Sequence, residues 1–456
     1  MTNGMRAMLF ALCGAALTPV GAAPLVARPA AAQPRNHGGA LQAEITKRAG
    51  SDLRPFYAAR GYRPLWLDVR GPSPAASLLL AQLQSADRDR LKPGKLKADN
   101  LARALDRAAS GTPEDLAKAE LALSKVYAGY VKALRSGRRA PMIYETQALS
   151  PVVPTTTSAL QAAARAPSLE TYVRTMGWMH PLYAPLRATL GDPRYDADQR
   201  HQIALNLDRV RAIPANPARR YVLIDAASAR LWMYEDGRPA SAMRVVVGKP
   251  EEATQTPMMA GFIRYAIVNP YWNVPSDLVR SRIAWNVLAK GKGYLSGGGY
   301  QVLSDWSDKP AVVDPATIDW YAVEAGTLQP RVRQLPGGPN FMGTVKFMFP
   351  NPQGIYLHDT PDKDLLLKDA RQFSSGCVRL EDAQRLGRWL LGKPLPRKLR
   401  APEQRIELPE VVPVYITYLT AMPDQGRVTF QGDVYMRDAF GDSRLARSDR
   451  TRADRP

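Results

Sequence analysis

The chain has two cysteines, and only Cys377 lies beyond the first few dozen residues. It stands in "FSSGCVRL" (373–380), a short way after His358 in "IYLHDTP" (355–361). A thiol becomes a useful nucleophile when a nearby base or positive field favours the thiolate. His358 ends an apolar, strand-like run, which would fix its ring on a rigid element and suit it to carry protons. Gly376 lets the backbone approach a substrate closely, and the Gly376 and Cys377 amides are candidates to receive a developing oxyanion. Arg379 adds a permanent charge and a fork that matches a carboxylate. Each residue also has a bland reading: an inert buried thiol, a satisfied turn histidine, Asp359 as a loop cap, Arg379 paired with Glu381 or Asp382. A zinc site is disfavoured because the spacing matches no standard zinc pattern and ligands are too few. No metal or cofactor is expected.

These residues need elements to hold them. His358 should close a strand, and Cys377 should open a helix beginning near Leu380, gaining from its dipole. Upstream, an Ala/Pro/Gly-rich linker is expected over 33–44 and a helical domain over 45–212, with helices near 74–86, 97–109, 157–165, 168–190 and 196–212. Thr112-Pro-Glu-Asp115 is a strong helix start that should run to Ser136-Gly137. The aromatic "FYAARGYRPLWLD" (56–68) reads as core filling between helices. From Arg220 the pattern turns to strands, with a hairpin signal at Asp236-Gly237 and a turn at Pro423–Gly426. Helices near 276–290 and 381–391 should interrupt the sheet. A Gly- and Trp-rich insertion at about 277–338 reads as a lid or binding loop. The fold class is therefore α+β, and 441–456 is expected to be a disordered basic tail.

At 456 residues, with 45% hydrophobic and 8% aromatic content, the chain can hold more than one folded domain. Arg6 followed by the apolar run Ala7–Val20 resembles an export signal, with small residues at 21–23 or 30–32 for cleavage. Pro24 favours the second site, giving a signal over 1–32. An uncleaved inner-membrane anchor is the alternative, and Leu12 before Cys13 disfavours a lipid anchor. After cleavage one thiol remains, which in an oxidising compartment asks for a reason. The net charge of +20 suggests anionic partners. For an exported protein a carboxylate-bearing wall polymer or an anionic membrane face fits better than nucleic acid.

"HDTP…FSSGCVRLED" resembles the signature of the L,D-transpeptidase catalytic domain (the YkuD type), in the long periplasmic branch typified by YcbB. "NLDRVRAIP", "MRVVVGKP" with Thr256-Pro257, "NPYWNVP", "PGGPNFMGTVKFMFPN" and "VPVYITYLTA" are similar to that branch in the same order. The "YRPLWLD" region resembles its helical scaffold domain. The resemblance implies a mixed β-sandwich-type catalytic domain over 218–440 behind a scaffold domain, with a lid inserted. It implies periplasmic peptidoglycan cross-linking through a thioester on Cys377, from a tetrapeptide donor to a diaminopimelate acceptor, making 3→3 links. His358 would be the general base and acid and Gly376 part of the oxyanion hole. Arg379, Tyr356, Ser375 and Trp272 would contribute to substrate binding. Carbapenem-type β-lactams would be inhibitors, and other wall enzymes are candidate partners. Carboxypeptidase or hydrolase activity at the same site is the alternative, and a non-catalytic wall-binding scaffold a more distant one. Many relatives carry a histidine where Ser375 stands and an asparagine where Arg379 stands, so a backbone carbonyl, Ser374 or Ser375 is left to orient His358. The 150–200 segment is too short for the small peptidoglycan-binding module that the branch often carries.

Overall fold

The computed structural model describes residues 37–439, apart from 69, 110, 138 and 397–400. The signal at 1–32 and the tail at 441–456 lie outside these residues. The helical domain begins earlier than expected. His37–Arg48 is a helix rather than linker, because Leu41 and Ile45 fall on one face and are buried in the domain core.

The longest helix, α1 (Pro113–Ser136), starts as its sequence signals, with the Thr112 side chain accepting from the Asp115 N–H. Around it pack Pro74–Gln84, Ala98–Ala108 and Thr156–Arg165, close to the expected spans. The expected helix at 168–190 is instead two, Leu169–Arg174 and Tyr183–Thr189. Pro181 has no N–H to continue the ladder, and Met176 adopts φ 48°. The broken segment drives Trp178 and Met179 into the core. The aromatic stretch at 56–68 is core, with Tyr57 and Trp66 fully buried. Glu120 on α1 accepts the N–H groups of Leu65, Trp66 and Leu67. The last helix of this domain, α2 (Ala197–Val210), opens with a capping box at Asp196 and Gln199.

The β-rich domain is a ten-stranded mixed sheet among the described residues. Its strands are β1 (Arg220–Asp225), β2 (Arg230–Glu235), β3 (Arg238–Gly248), β4 (Met259–Val268) and β5 (Val345–Met348). They continue as β6 (Leu357–His358), β7 (Gln372–Ser374), β8 (Val378–Leu380) and β9 (Gln404–Thr417), and Ile143–Tyr144 adds at one side. The order β5-β6-β8-β3-β2-β1-β9-β4 closes on itself, because β5 also pairs with β4. Asp236 and Gly237, both at positive φ, make the β2–β3 hairpin turn that their sequence signals. One helix, α3 (Ala383–Leu391), packs on this core.

Two features join the domains. The chain leaving β9 forms a hairpin, Ala421–Asp424 with Arg427–Phe430, whose apolar residues pack on the helical core. On α2, Asn206 bonds Thr420 in both directions and Arg209 pairs with Asp438 at 2.6 Å.

Between the paired strands β4 and β5 the chain builds a subdomain with its own core of Trp272, Ile283, Tyr300, Val302, Trp320, Val332 and Met342. It contains a four-stranded antiparallel sheet and helical segments, including a π-helical stretch at Val279–Ala284. This insertion spans 272–342, slightly wider than expected. Its neck is closed by the Asn269 N–H donating to the Thr344 carbonyl at 2.9 Å.

Candidate active site

The site is built where β6 and β8 run side by side in parallel, with Leu357 opposite Val378 and His358 opposite Arg379. Leu357, Val378 and Leu380 are fully buried in the sheet core. Strand side chains alternate, so Tyr356, His358, Cys377 and Arg379 share the other face. On that face Cys377 stands beside Tyr356, and His358 beside Arg379. The cysteine and histidine are diagonal neighbours, with Cα atoms roughly 8 Å apart from strand geometry.

Cys377 does not open a helix. It leads directly into β8, because Val378 and Leu380 are apolar at alternate positions and pair with both β6 and β3. The helix waits for Asp382, whose side chain accepts from the Arg385 N–H. The dipole expected at Cys377 is therefore too far along the chain to act there.

Cys377 is a free thiol and half-buried. In this state its Sγ lies 3.6 Å from the Gly354 carbonyl, as a weak donor, and not in hydrogen-bond contact with His358. Burial pushes the thiol up from its ordinary value, opposed by the Tyr356 backbone and the Arg379 charge. The group rests as a thiol.

His358 is almost completely buried. Its Nδ1 is 2.6 Å from the carbonyl of Asp359. A carbonyl only accepts, so the proton is on Nδ1 and Nε2 keeps its lone pair. Among the described residues Nε2 carries no hydrogen bond. Burial first, then the Arg379 charge, lowers the ring's pKa to about 3, with the Asp359 backbone and carboxylate opposing. The imidazole is neutral at neutral pH.

Of the orienting groups considered from sequence, a backbone carbonyl is the one found. Asp359 is itself tightly held, since its carboxylate accepts from the Thr344 N–H and hydroxyl and pairs with Lys363 at 2.8 Å. Gly343, at φ 60°, leaves space for it, because a Cβ there would come within 2.6 Å of the carboxylate.

Gly376 adopts φ 112°, which strains any side chain, and a Cβ would meet Ile355 at 3.0 Å. Its N–H donates to Ser374 Oγ at 3.1 Å, and that hydroxyl donates to the Cys377 carbonyl at 2.6 Å. The Gly376 amide is thus already engaged, while the Cys377 N–H has no partner among the described residues. Of the two amides named from sequence for an oxyanion, Gly376 and Cys377, only the second is left open.

Arg379 pairs with Asp362 across the loop at 3.6 Å, not with Glu381 or Asp382. Glu381 is held by Arg244. Burial lowers Arg379 from its ordinary value, opposed by Asp362, and the charge of Arg282 in the lid lowers it further. Tyr356 is half-buried, and its hydroxyl is raised by burial and then by the adjacent Cys377 sulfur. Ser375 is exposed at the loop apex. Trp272 departs from its expected role in substrate binding. It is buried in the lid core against Phe341, ring centroids 5.1 Å apart, because its strand pairs with Arg331–Gln334. Ser374, considered from sequence for His358, instead holds the Gly376–Cys377 loop; the Gly354 carbonyl beside the thiol was missed, and which carbonyl orients His358 was not specified. Both carbonyls act through backbone atoms, which carry no residue signal.

Among known families, residues 219–416 match the L,D-transpeptidase catalytic domain, YkuD, and residues 51–190 match a scaffold domain. A Haemophilus influenzae protein named "Putative L,D-transpeptidase" is 32% identical over 241 residues, covering 51% of this chain and 47% of that one. The chain thus matches about half the length of that relative. Among solved structures, an L,D-transpeptidase from Mycobacterium smegmatis is 12% identical, with TM-score 0.23, over 44% of this chain and 58% of that one. A cysteine-to-serine mutant of an Enterococcus faecium L,D-transpeptidase is also 12% identical, with TM-score 0.19, over 45% and 52%. Residues 219–416 are thus an L,D-transpeptidase catalytic domain of the YkuD type, joined to a scaffold domain over 51–190.

Proposed function

We propose that this protein is a periplasmic peptidoglycan L,D-transpeptidase that forms 3→3 cross-links through a thioester on Cys377. The observation that carries the reading is the block of Cys377, His358 and Arg379 on one sheet face, with His358 Nε2 left unprotonated. Cys377 Sγ attacks the carbonyl carbon of the third stem residue while its proton passes to His358 Nε2. The same proton then goes to the departing D-alanine amine as its C–N bond breaks. A diaminopimelate side-chain amine of a second stem attacks the thioester, His358 takes the amine's proton, and the thiolate leaves and is reprotonated. Because thiol and imidazole are both neutral at rest, proton transfer accompanies attack rather than preceding it. Before attack the thiol must turn from the Gly354 carbonyl toward His358. Arg379 and the basic surface suit the carboxylates of the stem.

The test uses purified protein with tetrapeptide-bearing muropeptides, followed by mass spectrometry. An acyl adduct on Cys377, absent in Cys377→Ser, and then cross-linked dimers are expected. An adduct that yields only trimmed tripeptide would assign water as acceptor and a carboxypeptidase activity. No adduct from folded protein would overturn the acyl-transfer reading. A carbapenem should give a covalent adduct on the same cysteine.

A further inference from the structure

The buried hydroxyl of Thr256 holds the back of the cysteine loop. Its Oγ1 is 2.8 Å from the Gly376 carbonyl and 2.8 Å from the Gly248 amide, and the residue is completely buried. The Gly248 N–H donates to the hydroxyl, so the hydroxyl proton must go to the Gly376 oxygen. That oxygen belongs to the same peptide unit as the Cys377 N–H. In a planar trans peptide the two groups point in opposite directions. Fixing the carbonyl on Thr256 therefore fixes the amide on the opposite side of the loop. This is the amide that remains free, since the Gly376 N–H is bound to Ser374.

Thr256 is held in turn. The Tyr435 hydroxyl donates to the Gly248 carbonyl at 2.6 Å and lies 3.4 Å from the Thr256 N–H, and Arg437 donates to the Thr256 carbonyl at 3.1 Å. At Gly248 a Cβ would come within 2.0 Å of the Thr254 carbonyl, so only glycine allows this approach. The Tyr435 ring stacks on Tyr418, which Arg209 of α2 covers at 5.2 Å, so the wall is continuous with the helical domain.

We propose that Thr256 is a positioning residue for acyl transfer: by holding the Gly376 carbonyl it aims the Cys377 N–H as the backbone donor for the oxyanion. The inference rests on the reading that Cys377 is acylated, but not on peptidoglycan as the substrate.

The experiment compares two reactions of Cys377 in the full chain. Acylation by p-nitrophenyl acetate passes through an oxyanion, whereas alkylation by iodoacetamide is displacement at a saturated carbon and forms none. Thr256→Val keeps the shape and removes the hydroxyl. It should slow acylation roughly 10–100-fold while alkylation stays within about 2-fold. Thr256→Ser should restore most of the acylation rate. If the valine variant folds poorly, Tyr435→Phe loosens the same wall and should slow acylation roughly 3–10-fold, again sparing alkylation. Acylation at the wild-type rate in Thr256→Val overturns the proposal. So does an equal loss in both reactions, which a merely structural role would give. A wild-type protein that is alkylated but never acylated by the ester overturns it too. Muropeptides failing where the ester succeeds would sink the peptidoglycan reading alone.

Discussion

Two regions of the molecule bury a histidine, and in both the ring's pKa is lowered to about 3, with burial the largest cause. At the junction of the helical domain with the sheet, His180 is walled by Tyr221 and Tyr234, each ring centroid 5.9 Å away. Its Nδ1 faces the Leu182 N–H at 3.4 Å and its Nε2 faces the Tyr221 hydroxyl at 2.9 Å. The amide can only donate, so Nε2 carries the proton and both nitrogens are engaged. On the sheet face that carries Cys377 the tautomer is reversed. His358 gives its Nδ1 proton to the next residue's carbonyl and keeps a free lone pair on the face shared with Cys377. Burial alone makes a neutral ring; the partners decide whether that ring is packing or a base.

Replacing each histidine by glutamine should separate the two roles. His358→Gln should cut Cys377 acylation by roughly 10²–10⁴-fold with a modest change in melting temperature. His180→Gln should leave acylation per folded molecule unchanged and lower unfolding stability by about 1–3 kcal/mol, measured by urea titration. Activity loss in His180→Gln without loss of stability would break the contrast.

Both regions share one pH dependence. In the unfolded chain a histidine binds its proton below about pH 6.5, whereas these two bind it in the fold only near pH 3. Between those values the unfolded state holds more protons, so their contribution to stability is complete above about pH 6.5 and declines as pH falls towards 3. Urea midpoints should drop across that window, and His180→Gln should make the drop shallower. An unchanged slope would mean that His180 is not neutral in the fold.

The smallest effect should come from Asp359→Asn. It removes the charge that pairs with Lys363 but keeps the carbonyl that orients His358. Acylation should fall only about 2–10-fold. A loss as large as that of His358→Gln would assign the orienting role to the carboxylate instead.

Much of this was legible in the sequence. The Thr112 helix start and the Asp236-Gly237 turn rest on local side-chain chemistry, and each is where those signals put it; Cys377 and His358 share a sheet face, but Cys377 leads into a strand and not a helix. What was not legible depends on distant or backbone partners. Val378 to Leu380 is too short a run to announce a strand, and only pairing on both sides makes it one. His358 is oriented by a carbonyl that any residue would supply. Thr256 stands in a recognisable motif, but its bond to Gly376 bridges a sequence gap that no local pattern spans. Trp272 was named for substrate binding through the family resemblance alone, and its burial follows from the lid having a core of its own.

The central claim is a neutral thiol beside a neutral, correctly tautomeric imidazole. It is tested most directly by the pH profile of Cys377 acylation, followed with the ester by mass spectrometry. The account predicts a rate that is nearly flat between about pH 5 and 8 in the wild-type protein. In His358→Gln the rate should instead rise about tenfold per pH unit over that range, tracking the thiolate fraction. A wild-type profile with an acid limb near pH 6.5 would contradict it, showing that His358 is protonated below that pH like an ordinary imidazole instead of resting neutral.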